Sequence, residues 1–171
     1  MVVGAGPGGM EAARVAALRG HDVTLYDKEQ SMGGLLPLAT FIKGSDFDDL
    51  APAYQWYERQ LKKSDNLTLA LGTEVTPELV DAVKPDVIIL SPGNNSVLPE
   101  IPGIDSSIVV STGQLQDTAK SYLKYLNAGM MSKLSKIYMP VGKRVVIVGG
   151  DLKGLEAAEF LAKRGKQVVI V

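Results

Sequence analysis

Cysteine is absent from this sequence of 171 residues, and histidine occurs once, as His21. Without cysteine, residues 1–171 carry no disulfide, no thiolate nucleophile and no cysteine-ligated zinc or iron–sulfur cluster of their own. His21 lies between a predicted helix and a predicted strand, where we interpret it as an exposed turn residue rather than a catalytic base. The sequence therefore identifies no catalytic residue and predicts no metal site.

An excess of one charge and long apolar runs are also lacking. Lys and Arg total 18 against 19 for Asp and Glu, which gives a net charge of −1 at pH 7. This balance offers no electrostatic basis for binding nucleic acid or an anionic membrane. No apolar run approaches the roughly 20 residues that a helix needs to cross a bilayer. We expect a cytoplasmic protein whose partners include neither nucleic acid nor membrane.

Predicted strands and helices alternate along the chain. Strand–helix–strand order implies parallel strands joined by right-handed crossovers, so the sequence predicts an α/β protein with a Rossmann-like three-layer fold and a parallel sheet. The strand at residues 86–90 is expected to be fully buried, and Thr76 and Thr112 are expected to cap helices. Strands are predicted at residues 2–3, 23–26, 67–71, 86–90, 144–148 and 167–171, and helices at 11–18, 48–63, 77–83, 113–126 and 155–164.

The strand–helix pattern restarts after residues 127–143, which show no sustained periodicity. We expect residues 1–128 to form the N-terminal part of an FAD-binding (or ADP-binding) domain, 129–141 a linker, and 142–171 the start of an NAD(P)H-binding domain. A single strand–helix–strand unit does not bury its own core. We therefore expect these residues to be part of a longer protein.

The stretch MVVGAGPGGM carries the pattern G-x-G-x-x-G between a strand and a helix, with glycine at 4, 6 and 9 and Pro7 and Gly8 between them. In this pattern the first glycine permits the tight turn, the second lets the backbone approach a pyrophosphate, and the third lets the helix pack closely on the sheet. Asp27 ends the next strand 18 positions after Gly9, the spacing expected for a carboxylate that accepts hydrogen bonds from a ribose hydroxyl. The stretch predicts a dinucleotide site.

Four later stretches resemble motifs of FAD-binding proteins. Lys28 follows Asp27 as in the acid–base pair of such proteins, and a glycine doublet comes soon after it. The sequence of residues 87–93 resembles a hydrophobic strand ending in Ala-Thr-Gly, although Ser91 and Pro92 replace Ala-Thr, so a threonine contact does not carry over. The segment around Val75 resembles the one whose backbone reads the adenine edge. The resemblance thus assigns cofactor contacts to Lys28, Gly33, Gly34, Leu35, Leu36, Val75, Ser91, Pro92 and Gly93.

Together these motifs resemble the C-terminal region of the multidomain NADH:flavin oxidoreductases, a family with a barrel of the old yellow enzyme type that includes 2,4-dienoyl-CoA reductase, 2-enoate reductase and trimethylamine dehydrogenase. The resemblance covers nearly the whole chain and is most specific at residues 73–86. It implies an upstream barrel domain with FMN and a 4Fe–4S cluster. It also implies relay of reducing equivalents from NAD(P)H through FAD to that domain.

Two other functions remain open. Resemblance to trimethylamine dehydrogenase allows a module of the same fold that binds ADP without flavin, and the stretch Gly33-Gly34-Leu35-Leu36 is also similar to the small-subunit type of glutamate synthase. In related disulfide reductases a redox-active cysteine pair often follows the glycine doublet, and that chemistry is excluded within this chain. Residues 1–171 alone are expected to be poorly active.

A second glycine pattern follows the strand at 144–148, with Gly149 and Gly154 as predicted nucleotide contacts. Its middle position is Asp151 instead of glycine, and a carboxylate beside a pyrophosphate is repulsive by on the order of 1 kcal/mol or more. NAD(P)H binding and a fold-preserving turn with weak or no binding both remain open. The choice between NAD and NADP also remains open.

Overall fold

The computed structural model describes residues 1–43, 50–94, 98–123, 130, 135 and 141–171. Six strands and six helices lie within these ranges. In chain order they are β1 (Val2–Val3), α1 (Pro7–Leu18), β2 (Val23–Asp27), α2 (Leu36–Lys43), α3 (Leu50–Lys62), β3 (Leu67–Leu71), α4 (Pro77–Val83), β4 (Ile89–Leu90), α5 (Thr112–Leu123), β5 (Arg144–Ile147), α6 (Leu152–Ala162) and β6 (Gln167–Ile170).

The first four strands form one parallel sheet in the order β3-β2-β1-β4. Val2 of β1 pairs with Leu25 of β2 on one side and with Ile89 of β4 on the other. Strands β2 and β3 pair over five residues each. Parallel strands that are connected through helices define the α/β class, so the predicted Rossmann-like parallel fold is confirmed.

The core of this sheet lies beneath α1. Val2 and Leu25 contribute apolar side chains from the sheet, Met10 and Ala13 contribute them from α1, and Leu61 contributes one from α3. All five are at most 1% exposed. Small residues along α1 allow the helix axis to lie close to the strands, so the end of β1 and the start of α1 are held in a fixed geometry.

The second group of elements consists of β5, α6 and β6. The two strands are parallel and pair from Arg144 with Gln167 to Ile147 with Ile170. They form a two-stranded sheet of their own, which agrees with a pattern that restarts late in the sequence. The predicted linker at 129–141 falls mainly outside the described residues, of which it includes only 130, 135 and 141.

Strand β4 differs from the prediction of a fully buried strand at 86–90. It comprises only Ile89–Leu90, and these side chains are 38% and 72% exposed. Its only partner within the described ranges is β1, so it is the edge strand of the sheet. The apolar run correctly indicated a strand, but burial depends on neighbours that the run does not specify.

Helix boundaries also differ in places. Helix α1 begins at Pro7 instead of residue 11, because Pro7, Gly8 and Gly9 belong to its first turn. Ser111, not Thr112, caps α5: its hydroxyl accepts from the Gln114 amide while Gln114 Oε1 accepts from the Ser111 amide. Helix α6 starts three residues earlier than predicted, and α2 was not predicted at all. Residues 48–49 and 124–126 of two predicted helices lie outside the described ranges.

We predict that Leu25→Ala lowers the free energy of unfolding by about 2–5 kcal/mol, because Leu25 is completely buried and its truncation leaves a cavity. Urea unfolding followed by circular dichroism measures the change. Leu18→Ala is the matched control, because Leu18 is 69% exposed and its truncation is expected to cost no more than about 0.5 kcal/mol. Equal losses in both variants would contradict this assignment of the core.

Candidate functional site

The turn between β1 and α1 is built from glycines that play different roles. Gly4 has φ +100°, and a Cβ there would overlap the carbonyl oxygen of Ser91. A Cβ at Gly9 would overlap the carbonyl oxygen of Gly4. Gly6 has φ −71°, and a Cβ there would meet nothing within 4 Å. The fold itself thus requires glycine at 4 and 9. At Gly6, by contrast, the missing side chain leaves an unoccupied region where a Cβ would lie, which we call the space above Gly6 or above the turn.

This open space lies at the N-terminus of α1. Gly6 is the N-cap residue, no side chain caps it, and Pro7 follows as the first helical residue. The first helical amides lack intrahelical acceptors, and the helix dipole gives this end a partial positive charge. An uncapped N-terminus beside an unfilled space has the chemistry that suits a phosphate group.

Asp27 reaches the same turn from the end of β2. Its Oδ2 accepts a hydrogen bond from the Ala5 amide at 2.6 Å, and its Oδ1 accepts from the Glu29 amide at 2.8 Å. A carboxylate oxygen has more than one lone pair, so Asp27 retains capacity to accept from a hydroxyl group. The neighbouring Lys28 side chain is exposed. The structure thus places the predicted acid at the glycine turn.

The glycine doublet packs against the turn from the other side. The Gly33 amide donates to the Ala5 carbonyl oxygen at 2.8 Å, and a Cβ at Gly34 would lie 3.1 Å from the Gly6 Cα. Both glycines have positive φ, +101° and +55°. Of the residues that follow, Leu35 is exposed, while Leu36 begins α2 and packs against the core. The doublet therefore lies against the backbone of the turn at Ala5 and Gly6.

The ring of Tyr54 in α3 lies against Gly33 of the doublet. A Cβ at Gly33 would come within 2.7 Å of the Tyr54 ring atom Cε2. Burial raises the pKa of Tyr54, and the charge of Glu58 adds to this effect, so the phenol is neutral at physiological pH. The helical spacing of Tyr54 and Leu61 on one side of α3 was the available signal.

Two further segments border the turn. The Ser91 amide donates to the Val3 carbonyl oxygen at 2.7 Å, and a Cβ at Gly8 would lie 2.9 Å from Ser91 Oγ. Pro92 and Gly93 follow and are exposed. After β3, the Thr73 amide donates to the Asp27 carbonyl oxygen at 2.8 Å, and the half-buried Val75 comes two residues later. Val75 and Gly93 thus follow directly on segments that are hydrogen-bonded to β2 and β1.

The turn between β5 and α6 repeats the backbone of the first turn. Gly149 has φ +112°, and a Cβ at Gly154 would overlap the Gly149 carbonyl oxygen. In the same way, a Cβ at Gly9 would overlap the Gly4 carbonyl oxygen. Asp151 takes the N-cap position, with φ −71° and ψ 177°. Its Oδ1 accepts from the Gly154 amide at 2.9 Å. The sequence indicated only charge repulsion at Asp151; its capping role emerges from the structure, and the preference of aspartate for N-cap positions was the available signal.

Within the described ranges, no group of three or more His, Cys, Asp or Glu residues is arranged to hold a metal ion. No helix in those ranges is both long enough and apolar enough to span a membrane. His21 is exposed, in agreement with its interpretation as a turn residue.

The arrangement of a glycine turn, an uncapped helix and an acid at the next strand defines a dinucleotide-binding protein of the Rossmann class. All 171 residues match the family described as pyridine nucleotide-disulphide oxidoreductase. The chain belongs to this family. The family name refers to disulphide chemistry, but residues 1–171 contain no cysteine to perform it.

Individual relatives confirm the resemblance to the NADH:flavin oxidoreductase group. The whole chain is 36% identical to an N,N-dimethylglycine/sarcosine dehydrogenase of Chromohalobacter salexigens and covers 23% of it. It is 33% identical to an NADH oxidase of Thermoanaerobacter brockii and covers 24% of that protein. A solved complex of 2-naphthoyl-CoA reductase with 2-naphthoyl-CoA is 34% identical, with a TM-score of 0.77 over 99% of this chain and 23% of that one. The chain thus spans about a quarter of the length of these relatives.

We predict that Gly6→Val lowers the affinity for ADP at least about 100-fold, because the new side chain fills the space above the turn. Folding is expected to be unaffected, because that space is otherwise empty and φ is ordinary. Titration calorimetry measures the affinity. Gly142→Val is the matched control, since Gly142 is exposed and a Cβ there makes only an ordinary contact, 3.8 Å from the Arg144 carbonyl oxygen. Unchanged affinity in Gly6→Val would contradict this placement of the phosphates.

Proposed function

We propose that residues 1–171 are the dinucleotide-binding region of a flavin-dependent NAD(P)H oxidoreductase, with FAD at the β1–α1 turn and NAD(P)H at the β5–α6 turn. The observation that carries the proposal is the convergence of Asp27 and the glycine doublet on Ala5, beside the open space at Gly6. A glycine turn alone serves many nucleotides, whereas the doublet is the part that resembles flavoproteins.

In this proposal each element near the turn has a defined task. The N-terminus of α1 attracts the pyrophosphate, and Gly6 lets it approach the backbone. The Asp27 carboxylate accepts hydrogen bonds from the adenosine ribose. The remainder of the cofactor contacts Lys28, Leu35, Leu36, Val75 and the segment Ser91-Pro92-Gly93. These assignments are predictions.

The redox chemistry would belong to the cofactors, since FAD held at the β1–α1 turn would supply hydride-accepting and electron-transfer chemistry. The protein's residues bind, orient and shield the cofactors, and no general acid or base is assigned to residues 1–171. Because the chain spans about a quarter of its relatives, we propose that the electrons pass to a partner domain with FMN and a 4Fe–4S cluster. The relatives named above act on different substrates by their names, so the substrate is left open.

One observation favours a second candidate, an ADP-binding module without flavin. Where flavoproteins have Ala-Thr-Gly, this chain has Ser91-Pro92-Gly93. Proline has no N–H group, so position 92 offers neither a hydroxyl nor an amide donor to a flavin. The adenosine side of the site, formed by the α1 N-terminus and Asp27, is unaffected by this replacement and serves ADP equally well.

We predict that nucleotide released from the purified intact protein by heat is FAD, because the doublet extends the site beyond the adenosine diphosphate. Mass spectrometry of the released material identifies it, and the absorption spectrum of the protein before release gives an independent readout. Release of ADP from a colourless protein would overturn the flavin assignment and support the second candidate.

We also predict that residues 1–171 alone oxidise NADH at least about tenfold more slowly than the intact protein, because two strands and one helix provide too small a sheet to bury an apolar core. Val146 and Val169, in this second unit, are 64% and 58% exposed. Stopped-flow spectrophotometry with NADH measures both rates. Equal rates would show that the second unit is functionally complete.

A further inference from the structure

The two glycine turns of this chain have the same backbone but different helix ends. Gly6 and Asp151 are the N-cap residues of α1 and α6, and both have φ −71° with extended ψ, −178° and 177°. In each turn a glycine of positive φ, Gly4 or Gly149, lies against a helical glycine that has no room for a Cβ. At the N-cap position the turns differ in the side chain, because the first has none and the second has a carboxylate.

At the first turn no side chain makes a capping hydrogen bond to the helix end. At the second turn Asp151 Oδ1 accepts from the Gly154 amide at 2.9 Å. A carboxylate at a helix N-terminus satisfies a free amide and complements the positive end of the dipole. These are the two interactions that a pyrophosphate would otherwise make there. Asp151 thus stands where the first turn leaves room for a ligand.

We propose that Asp151 is an affinity-determining residue, which weakens dinucleotide binding at the β5–α6 turn by competing with the pyrophosphate for the N-terminus of α6. This inference rests on the proposed function, in which NAD(P)H binds at that turn. Asp151 is exposed, so its side chain is able to rotate into solvent when a dinucleotide arrives. Binding then requires the loss of the cap and leaves a negative charge near the phosphates.

In this proposal, two turns with the same backbone conformation bind their dinucleotides with different affinities. An uncapped N-terminus favours a dinucleotide that stays bound, as a flavin cofactor does. A self-capped N-terminus favours one that is released after each turnover, as a nicotinamide dinucleotide must be when it serves as a substrate. Among mutants of one site, affinity differences arise mostly in the dissociation rate, so Asp151 is expected to speed dissociation.

The test titrates NADH into the intact protein and its Asp151→Gly and Asp151→Asn variants, with tryptophan fluorescence or calorimetry as the readout. Glycine is tolerated at N-cap positions with little loss of helix stability, so Asp151→Gly is expected to fold normally. We expect Asp151→Gly to lower the Kd about tenfold, because both the cap and the charge are removed. Asp151→Asn is expected to lower it less, because asparagine caps as well as aspartate but carries no charge.

The matched variant is Gly6→Asp, which installs the same cap at the first turn. A Cβ at Gly6 meets nothing within 4 Å, and the backbone angles equal those of Asp151, so the fold accommodates the change. We expect the fraction of protein purified with its first-site nucleotide to fall about tenfold or more, because the new carboxylate both competes for the helix N-terminus and occupies the space above Gly6.

Three results would count against the inference. An Asp151→Gly affinity for NADH equal to or weaker than that of the unmodified protein would overturn it and leave the proposed function intact. Full retention of first-site nucleotide by Gly6→Asp would overturn the competition on which it depends. If neither the unmodified protein nor Asp151→Gly binds NADH, the proposed second site is wrong and the inference fails with it.

Discussion

The structure depends on the peptide groups of Ala5, a fully buried residue in the turn between β1 and α1. Its amide donates to the Asp27 carboxylate, and its carbonyl oxygen accepts from the Gly33 amide. Two segments separated in sequence are thereby held to one backbone position. Because buried backbone groups must be paired, the orientation of Ala5 fixes where the acid and the doublet lie relative to the space above Gly6.

Local signals in the sequence predicted the elements whose boundaries are set by local chemistry. Thr76 and Pro77 start α4 as expected, with the Thr76 hydroxyl accepting from the Leu79 amide, and β3 has the predicted bounds. Burial of β4 was predicted wrongly, since it depends on what lies beside the strand rather than on the strand itself. Helix α2 was missed because its apolar run directly follows two glycines, a pattern typical of a loop.

Spacing also predicted much of the candidate site, but not its side-chain contacts. The interval from Gly9 to Asp27 predicted a ribose-binding carboxylate, and the structure places that carboxylate at the glycine turn, where it accepts from the Ala5 amide. Spacing does not reveal whether a side chain competes with a ligand. At position 151 the sequence shows only an acid where glycine is usual, whereas the structure shows that the acid caps its own helix. The cofactor contacts themselves stay a prediction.

Helix capping links the architecture to the proposed chemistry. The chain contains no cysteine, and its one histidine is exposed, so it supplies no thiolate nucleophile and no buried imidazole base. In the proposed function, the contribution of the chain is to set where each dinucleotide lies and how firmly it is bound. In the proposal for Asp151, the same glycine turn serves both purposes, because its backbone fixes the position of the ligand while the residue at the N-cap adjusts the affinity. Changing one side chain at that position is then expected to alter retention without altering the path of the main chain.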